Sequence, residues 1–146
     1  MEKIASFQKD HDKLQPGLYA QTDKNLITTF DLRFKKPNSG DYITPKALHT
    51  IEHLLATVLR NSEKKNDIVY FGPMGCRTGF YLLTVRLSFK EVLALLKESI
   101  KKALTLEEVP GSKREECGNY LEHDLAAAKE ELTNYLLILD GVEAHS

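Results

Sequence analysis

A chain of 146 residues can bury one real core and is too short for two comfortable ones, so residues 1–146 are expected to form a single domain. Twenty Lys and Arg against twenty-one Asp and Glu, mixed throughout and summing to −1, give no electrostatic reason to expect nucleic acid or an acidic membrane as a partner. No stretch approaches the roughly 20 apolar residues of a membrane span, and Met1 to Phe7 contain no long apolar region, so a cytoplasmic protein is expected. In a reducing compartment the two cysteines, Cys76 and Cys117, are at least as suited to catalysis or metal binding as to a disulfide.

In chain order, Gly17 to Thr22 read as an extended piece after Pro16, closed by a polar turn at Asp23-Lys24-Asn25. Leu26 to Phe34 alternates, with Leu26, Thr28, Phe30, Leu32 and Phe34 on one side and Ile27, Thr29, Asp31 and Arg33 on the other, which predicts a strand with one core face. Thr44 and Pro45 then open a helix from Lys46 to Arg60 as cap and first position. Its apolar arc is Leu48, Ile51, Leu54, Leu55, Val58 and Leu59.

Ile68 to Phe71 form a short strand, and Gly72-Pro73-Met74-Gly75 predict a sharp turn just before Cys76. A second alternating strand runs from about Gly79 to Leu87. Ser88-Phe89-Lys90-Glu91 has the form of a capping box ahead of a helix with no functional signal. Asp124 caps a last helix that buries Leu125, Ala128, Leu132, Tyr135, Leu136 and Leu139, with a frayed tail after Asp140. Three helices and three or four meandering strands predict an α+β domain, a small antiparallel sheet packed against the helices.

The chemistry starts at His49-Thr50-Ile51-Glu52-His53. Residues four apart lie one turn apart on a helix, so two imidazoles can converge on one ion, and His49, Glu52, His53 and Ala56 occupy an arc beside the apolar one. The same spacing occurs in metallopeptidases, where Glu52 would be a general base. A structural zinc module closed by His49, His53, Cys117 and Cys76 is a third reading. His123 and His145 read as a surface histidine and a tail residue.

Three pieces taken together, His49 to His53, Gly72-Pro73-Met74-Gly75-Cys76-Arg77-Thr78-Gly79, and Glu116-Cys117-Gly118-Asn119, resemble the S-ribosylhomocysteine lyases, the bacterial enzymes that make the autoinducer-2 precursor. The likeness extends from Ser6-Phe7 and Asp10-His11 through Phe30 to Phe34 and Pro37-Asn38 to the last helix.

The resemblance implies His49, His53 and Cys117 as ligands of one divalent metal per subunit, Fe(II) in the cell with Zn or Co as replacements. It implies Glu52 and Cys76 as the acid/base pair for two enolisations and a β-elimination. Ser6, His11 and Arg33 are implied as substrate contacts, with Tyr81 a weaker candidate on the same grounds. A homodimer with active sites at its interface, acting on the small molecule S-ribosylhomocysteine, is implied as well. Many family members have an Asp followed by Ser-Pro-Met-Gly-Cys-Gln, where this chain has Tyr70, Gly72 and Arg77. The departure bears on the homocysteine end of the substrate, where Arg77 is positioned to meet a carboxylate.

Overall fold

The structure is a computed structural model and describes residues 10–145. Its four strands are β1 (Gly17–Thr22), β2 (Ile27–Arg33), β3 (Ile68–Pro73) and β4 (Gly79–Val85), and its helices are α1 (Pro45–Arg60), α2 (Phe89–Ala103) and α3 (Leu125–Ala144). The sheet order is β1-β2-β4-β3 and every neighbouring pair is antiparallel. This is the α+β architecture that the pattern of elements predicts.

Register explains the core. Leu18 pairs with Leu32 and Leu32 with Phe80, while Phe30 and Phe71 both pair with Leu82, so these six side chains share one sheet face. All six are buried together with Ile51, Leu54, Leu55 and Leu59 of α1, Val92, Leu96 and Ile100 of α2, and Ala128, Leu132 and Leu139 of α3. The other face carries Tyr19, Asp31 and Tyr81 in one row, and Gly17, Arg33 and Gly79 in the next.

The caps form where the sequence places them. The Thr44 hydroxyl accepts from the Ala47 N–H, Ser88 and Glu91 make a complete capping box, and the Asp124 carboxylate accepts from the Ala127 N–H. Each satisfies N–H groups that the first turn of a helix leaves without partners. Tyr135 ties α3 to the sheet by donating its hydroxyl to the Gly17 carbonyl at 2.9 Å, and its ring stacks on Phe34.

Four expectations change. Leu26 belongs to the turn, at φ 64° and 74% exposed, because Asp23 Oδ1 accepts from the N–H groups of both Asn25 and Ile27 and winds the chain too tightly for a strand. Strand β4 ends at Val85, and Arg86 turns the chain at φ 62°. Strand β3 continues through Gly72 and Pro73, so the turn starts at Met74, where the Met74 N–H donates to the Gly79 carbonyl and the Arg77 N–H to that of Met74. Helix α3 holds to Ala144, where Lys97 of α2 reaches Asp140 at 2.9 Å and Glu143 at 3.0 Å.

Candidate active site

His49 and His53 stand on one side of α1, half-buried, with Glu52 between them in sequence and equally half-buried. Over them folds the loop between α2 and α3. The His49 Nδ1–H donates to the Glu122 carbonyl and the His53 Nδ1–H to the Pro110 carbonyl, both at 2.8 Å. A carbonyl can only accept, so both rings carry a hydrogen on Nδ1, and each in its neutral form presents a bare lone pair at Nε2. Those two Nε2 atoms lie 3.1 Å apart. Two lone pairs facing each other at that distance repel unless a shared proton or a metal ion stands between them.

Cys117 completes the arrangement, its Sγ 3.5 Å from His49 Nε2 and 3.9 Å from His53 Nε2. A tetrahedral site with metal–nitrogen bonds of about 2.0–2.1 Å and metal–sulfur bonds of about 2.3 Å has edges of about 3.3 Å between nitrogens and about 3.6 Å from nitrogen to sulfur. The observed spacings straddle those values, so the residues fit a divalent metal. The Asn119 N–H, 3.5 Å from Cys117 Sγ, supplies the hydrogen bond to sulfur that commonly supports a metal thiolate. Gly111, at φ 66°, lets the loop pass close over the His53 ring.

His123 is the residue that sequence reasoning missed. It is no surface histidine, since a ring nitrogen of His123 falls in one group with ligand atoms of His49, His53 and Cys117, all within 4.8 Å of one another. Its ring stacks on His49 at 4.2 Å and meets His53 edge-on at 4.8 Å. Burial, together with the neighbouring His49 and His53, lowers its pKa below the ordinary histidine value and keeps it neutral at pH 7. The available signal was position, a fourth ligand-type side chain six residues after Cys117 and directly before the Asp124 cap.

A second region gathers the remaining candidates. His11, Arg33, Tyr42, Cys76, Arg77, Thr78 and Tyr81 line a cleft of ≈ 630 Å³ at the Met74–Thr78 turn. Arg33 is buried and donates to Asp31 Oδ2 at 2.7 Å and to Thr78 Oγ1 at 2.8 Å. Because a guanidinium only donates, the Thr78 hydroxyl must accept from it, which leaves the hydroxyl hydrogen free for Cys76 Sγ, its other partner 3.1 Å away. Gly79 sits opposite Arg33 in the register, where a Cβ would collide with the Leu32 carbonyl oxygen. Only glycine lets β4 close on β2 there.

Arg77 takes φ 61° in the same turn, donates to the Ile43 carbonyl at 3.2 Å and lies over the Tyr42 ring. Cys76 is exposed in this cleft and is not in the group around His49, so the module closed by Cys76 is not what the chain builds among its described residues. Ser6 lies outside the described residues.

A small antiparallel sheet backed by three helices, with a cluster of metal-ligand side chains and a cleft holding a second thiol, defines a compact α+β metalloenzyme. More narrowly, the chain belongs to the S-ribosylhomocysteinase (LuxS) family, whose model matches residues 4–143. It is 47% identical to the S-ribosylhomocysteine lyase of Borreliella afzelii over 98% of this chain and 96% of that one. Similar proteins of the same name occur in Desulfotalea psychrophila, 45% identical over 97% of this chain and 94% of that one, and in Porphyromonas gingivalis, 44% identical over 93% and 90%. Membership removes the metallopeptidase reading.

Proposed function

We propose that the chain is an S-ribosylhomocysteine lyase, a single domain over residues 1–146 that converts S-ribosylhomocysteine to homocysteine and 4,5-dihydroxypentane-2,3-dione. The observation that carries the reading is the pair of bare Nε2 atoms 3.1 Å apart beside a thiol, in a chain matched over nearly its whole length by that family. His49, His53 and Cys117 hold one divalent metal per subunit, Fe(II) in the cell with Zn or Co as replacements, and when bound it supplies Lewis acidity for the sugar carbonyl.

The proton movements belong to side chains. Arg77, His11, Tyr81 and Ser6 bind and orient the open-chain substrate, and buried Arg33, expected from the resemblance to touch it, instead acts through Thr78 to shape the cleft. Cys76 Sγ and the Glu52 carboxylate remove the C2 proton and return one to C1, which moves the carbonyl to C2. A second transfer, from C3 to C2, moves it to C3. Removal of the C4 proton then breaks the C5–S bond, and homocysteine leaves as a thiolate that takes up a proton. No water is consumed, so product atoms equal substrate atoms. Thr78, fixed by Arg33 and hydrogen-bonded to Cys76, holds the sulfur in position for these transfers.

The active protein is a homodimer with its sites at the interface. Support comes from the sheet: Tyr19 and Tyr70 stand exposed, and Leu83 and Val85 partly exposed, on the face opposite the core. The Cys76 cleft also shares no lining residue with the histidine cluster, which suits a substrate spanning surfaces from two subunits. Two free cysteines suit a reducing cytoplasm, and no described helix is long and apolar enough to cross a membrane.

Anaerobically purified, Fe(II)-loaded protein incubated with S-ribosylhomocysteine should release one equivalent of free thiol as homocysteine. Absence of thiol from fully metallated protein would overturn the reading.

A further inference from the structure

Four side chains meet at the cluster, and ring geometry separates one of them from the rest. An imidazole lone pair points along its ring plane. His49 and His53 cross at 81°, so their planes intersect close to the two Nε2 atoms, where one ion can satisfy both. His49 and His123 lie 24° from parallel with centroids 4.2 Å apart, so their planes meet only far outside bonding range. While His49 is a ligand, His123 is not one.

Hydrogen-bond accounting then fixes the His123 tautomer. Thr50 is fully buried, and its Oγ1 accepts the Asp124 N–H at 2.9 Å. The other polar atom bonded to that hydroxyl is His123 Nδ1, at 3.0 Å. A buried hydroxyl hydrogen must be placed on an acceptor, so it goes to Nδ1, and the ring hydrogen therefore resides on Nε2. This is the reverse of His49 and His53, whose Nδ1 atoms face carbonyls. The resulting Nε2–H is enclosed beside the His49 and His53 rings and has no hydrogen-bond partner among the described residues. An enclosed donor without an acceptor is destabilising, and a substrate oxygen placed against it would relieve that cost.

We propose that His123 is a further catalytic residue, whose Nε2–H donates to the substrate oxygen that gains negative charge when a carbon-bound proton is removed, and that Thr50 is the positioning residue that sets its tautomer. The inference rests on the lyase reading for the identity of that oxygen, but not for the tautomer.

The test uses full-length, zinc-loaded protein with 15N-labelled histidine. NMR correlation should show hydrogen on Nε2 of His123 and on Nδ1 of His49 and His53. His123→Phe, which keeps a ring on His49, should retain one metal per chain while homocysteine release falls by about 10²- to 10³-fold, the usual effect of removing one donor to a developing oxyanion. Thr50→Val should disturb the His123 tautomer and slow release, and Thr50→Ser should restore both. Loss of metal in His123→Phe, or a zinc-shifted Nε2 at His123, would make it a ligand and overturn the proposal. Release by His123→Phe within twofold of wild type would also overturn it. If wild-type protein released no homocysteine the lyase reading would fall, and hydrogen found on Nδ1 of His123 would overturn the donor on its own.

Discussion

The histidine cluster and the Cys76 cleft are built on opposite principles. The cluster comes from one helix face and a loop without regular secondary structure, and its precision comes from main-chain carbonyls of Pro110 and Glu122 that dictate which nitrogen is bare. The cleft comes from strand register, with buried Arg33 fixed between Asp31 and Thr78 and allowed its place by Gly79. One region orders side chains through the backbone of a loop, the other through a charge locked in a sheet. Loss of a group should therefore act locally in the first and propagate into stability in the second.

The largest effect is expected at Cys117. With only His49 and His53 left, the site loses its softest donor and one of three anchors, so Cys117→Ala should lose most bound metal and essentially all homocysteine release. Metal analysis after gel filtration checks this, and full occupancy in the variant would remove Cys117 from the ligand set. Melting should change modestly and only in the metallated protein, because the loop, not the core, depends on the site.

The proton shuttles come next. Cys76→Ala and Glu52→Gln should each keep one metal per chain and still bind substrate, yet slow homocysteine release by about 10²- to 10⁴-fold, since neither the ligands nor water replaces a positioned base. Following carbon-bound protons by NMR in deuterated solvent separates the two variants by the step at which exchange stops. Wild-type release by either one would exclude that residue from the mechanism.

Arg33 tests the other half of the contrast. Arg33→Met removes the guanidinium from its buried ion pair with Asp31, and breaking a buried pair from one side typically costs about 3–5 kcal/mol. Urea unfolding should show that loss while metal content of the folded fraction stays intact. An unchanged midpoint would mean that the pair is not integral to the sheet.

How much of this was legible in the sequence follows from how each region is made. The α1 histidines were visible because helical spacing alone brings residues four apart together, and the caps at Thr44, Ser88 and Asp124 were visible because capping is local. That Cys117 rather than Cys76 joins the two histidines came only through family likeness, as periodicity does not reach across a loop without regular structure. His123 escaped for the same reason: the loop carries it back onto His49, and nothing between Gly118 and Asp124 encodes that return. The alternation in β2 placed Arg33 opposite the core face, yet it is buried, because the turn carrying Thr78 covers it. Leu26 was read as strand because alternation continued by chance into a turn that Asp23 controls.

The smallest effect is expected at Arg77, and it asks whether the cleft contains a second, substrate-facing cation besides the structural one. Arg33 has both guanidinium ends committed inside the protein. Arg77 is tied more lightly, by one 3.2 Å bond to the Ile43 carbonyl and by the Tyr42 ring beneath it, so it retains donors that can turn to a carboxylate at the homocysteine end. A hydrogen bond to a charged group contributes about 1.5–3 kcal/mol, and this one would be made equally in ground and transition states because the carboxylate is remote from the reacting carbons. Arg77→Gln should therefore raise KM by about tenfold or more and leave kcat nearly unchanged. An analogue lacking the carboxylate should show the raised KM with wild-type protein and no further increase with the variant. If KM for the full substrate does not move, the guanidinium serves only to hold the turn against Ile43 and Tyr42, and both cleft arginines are structural.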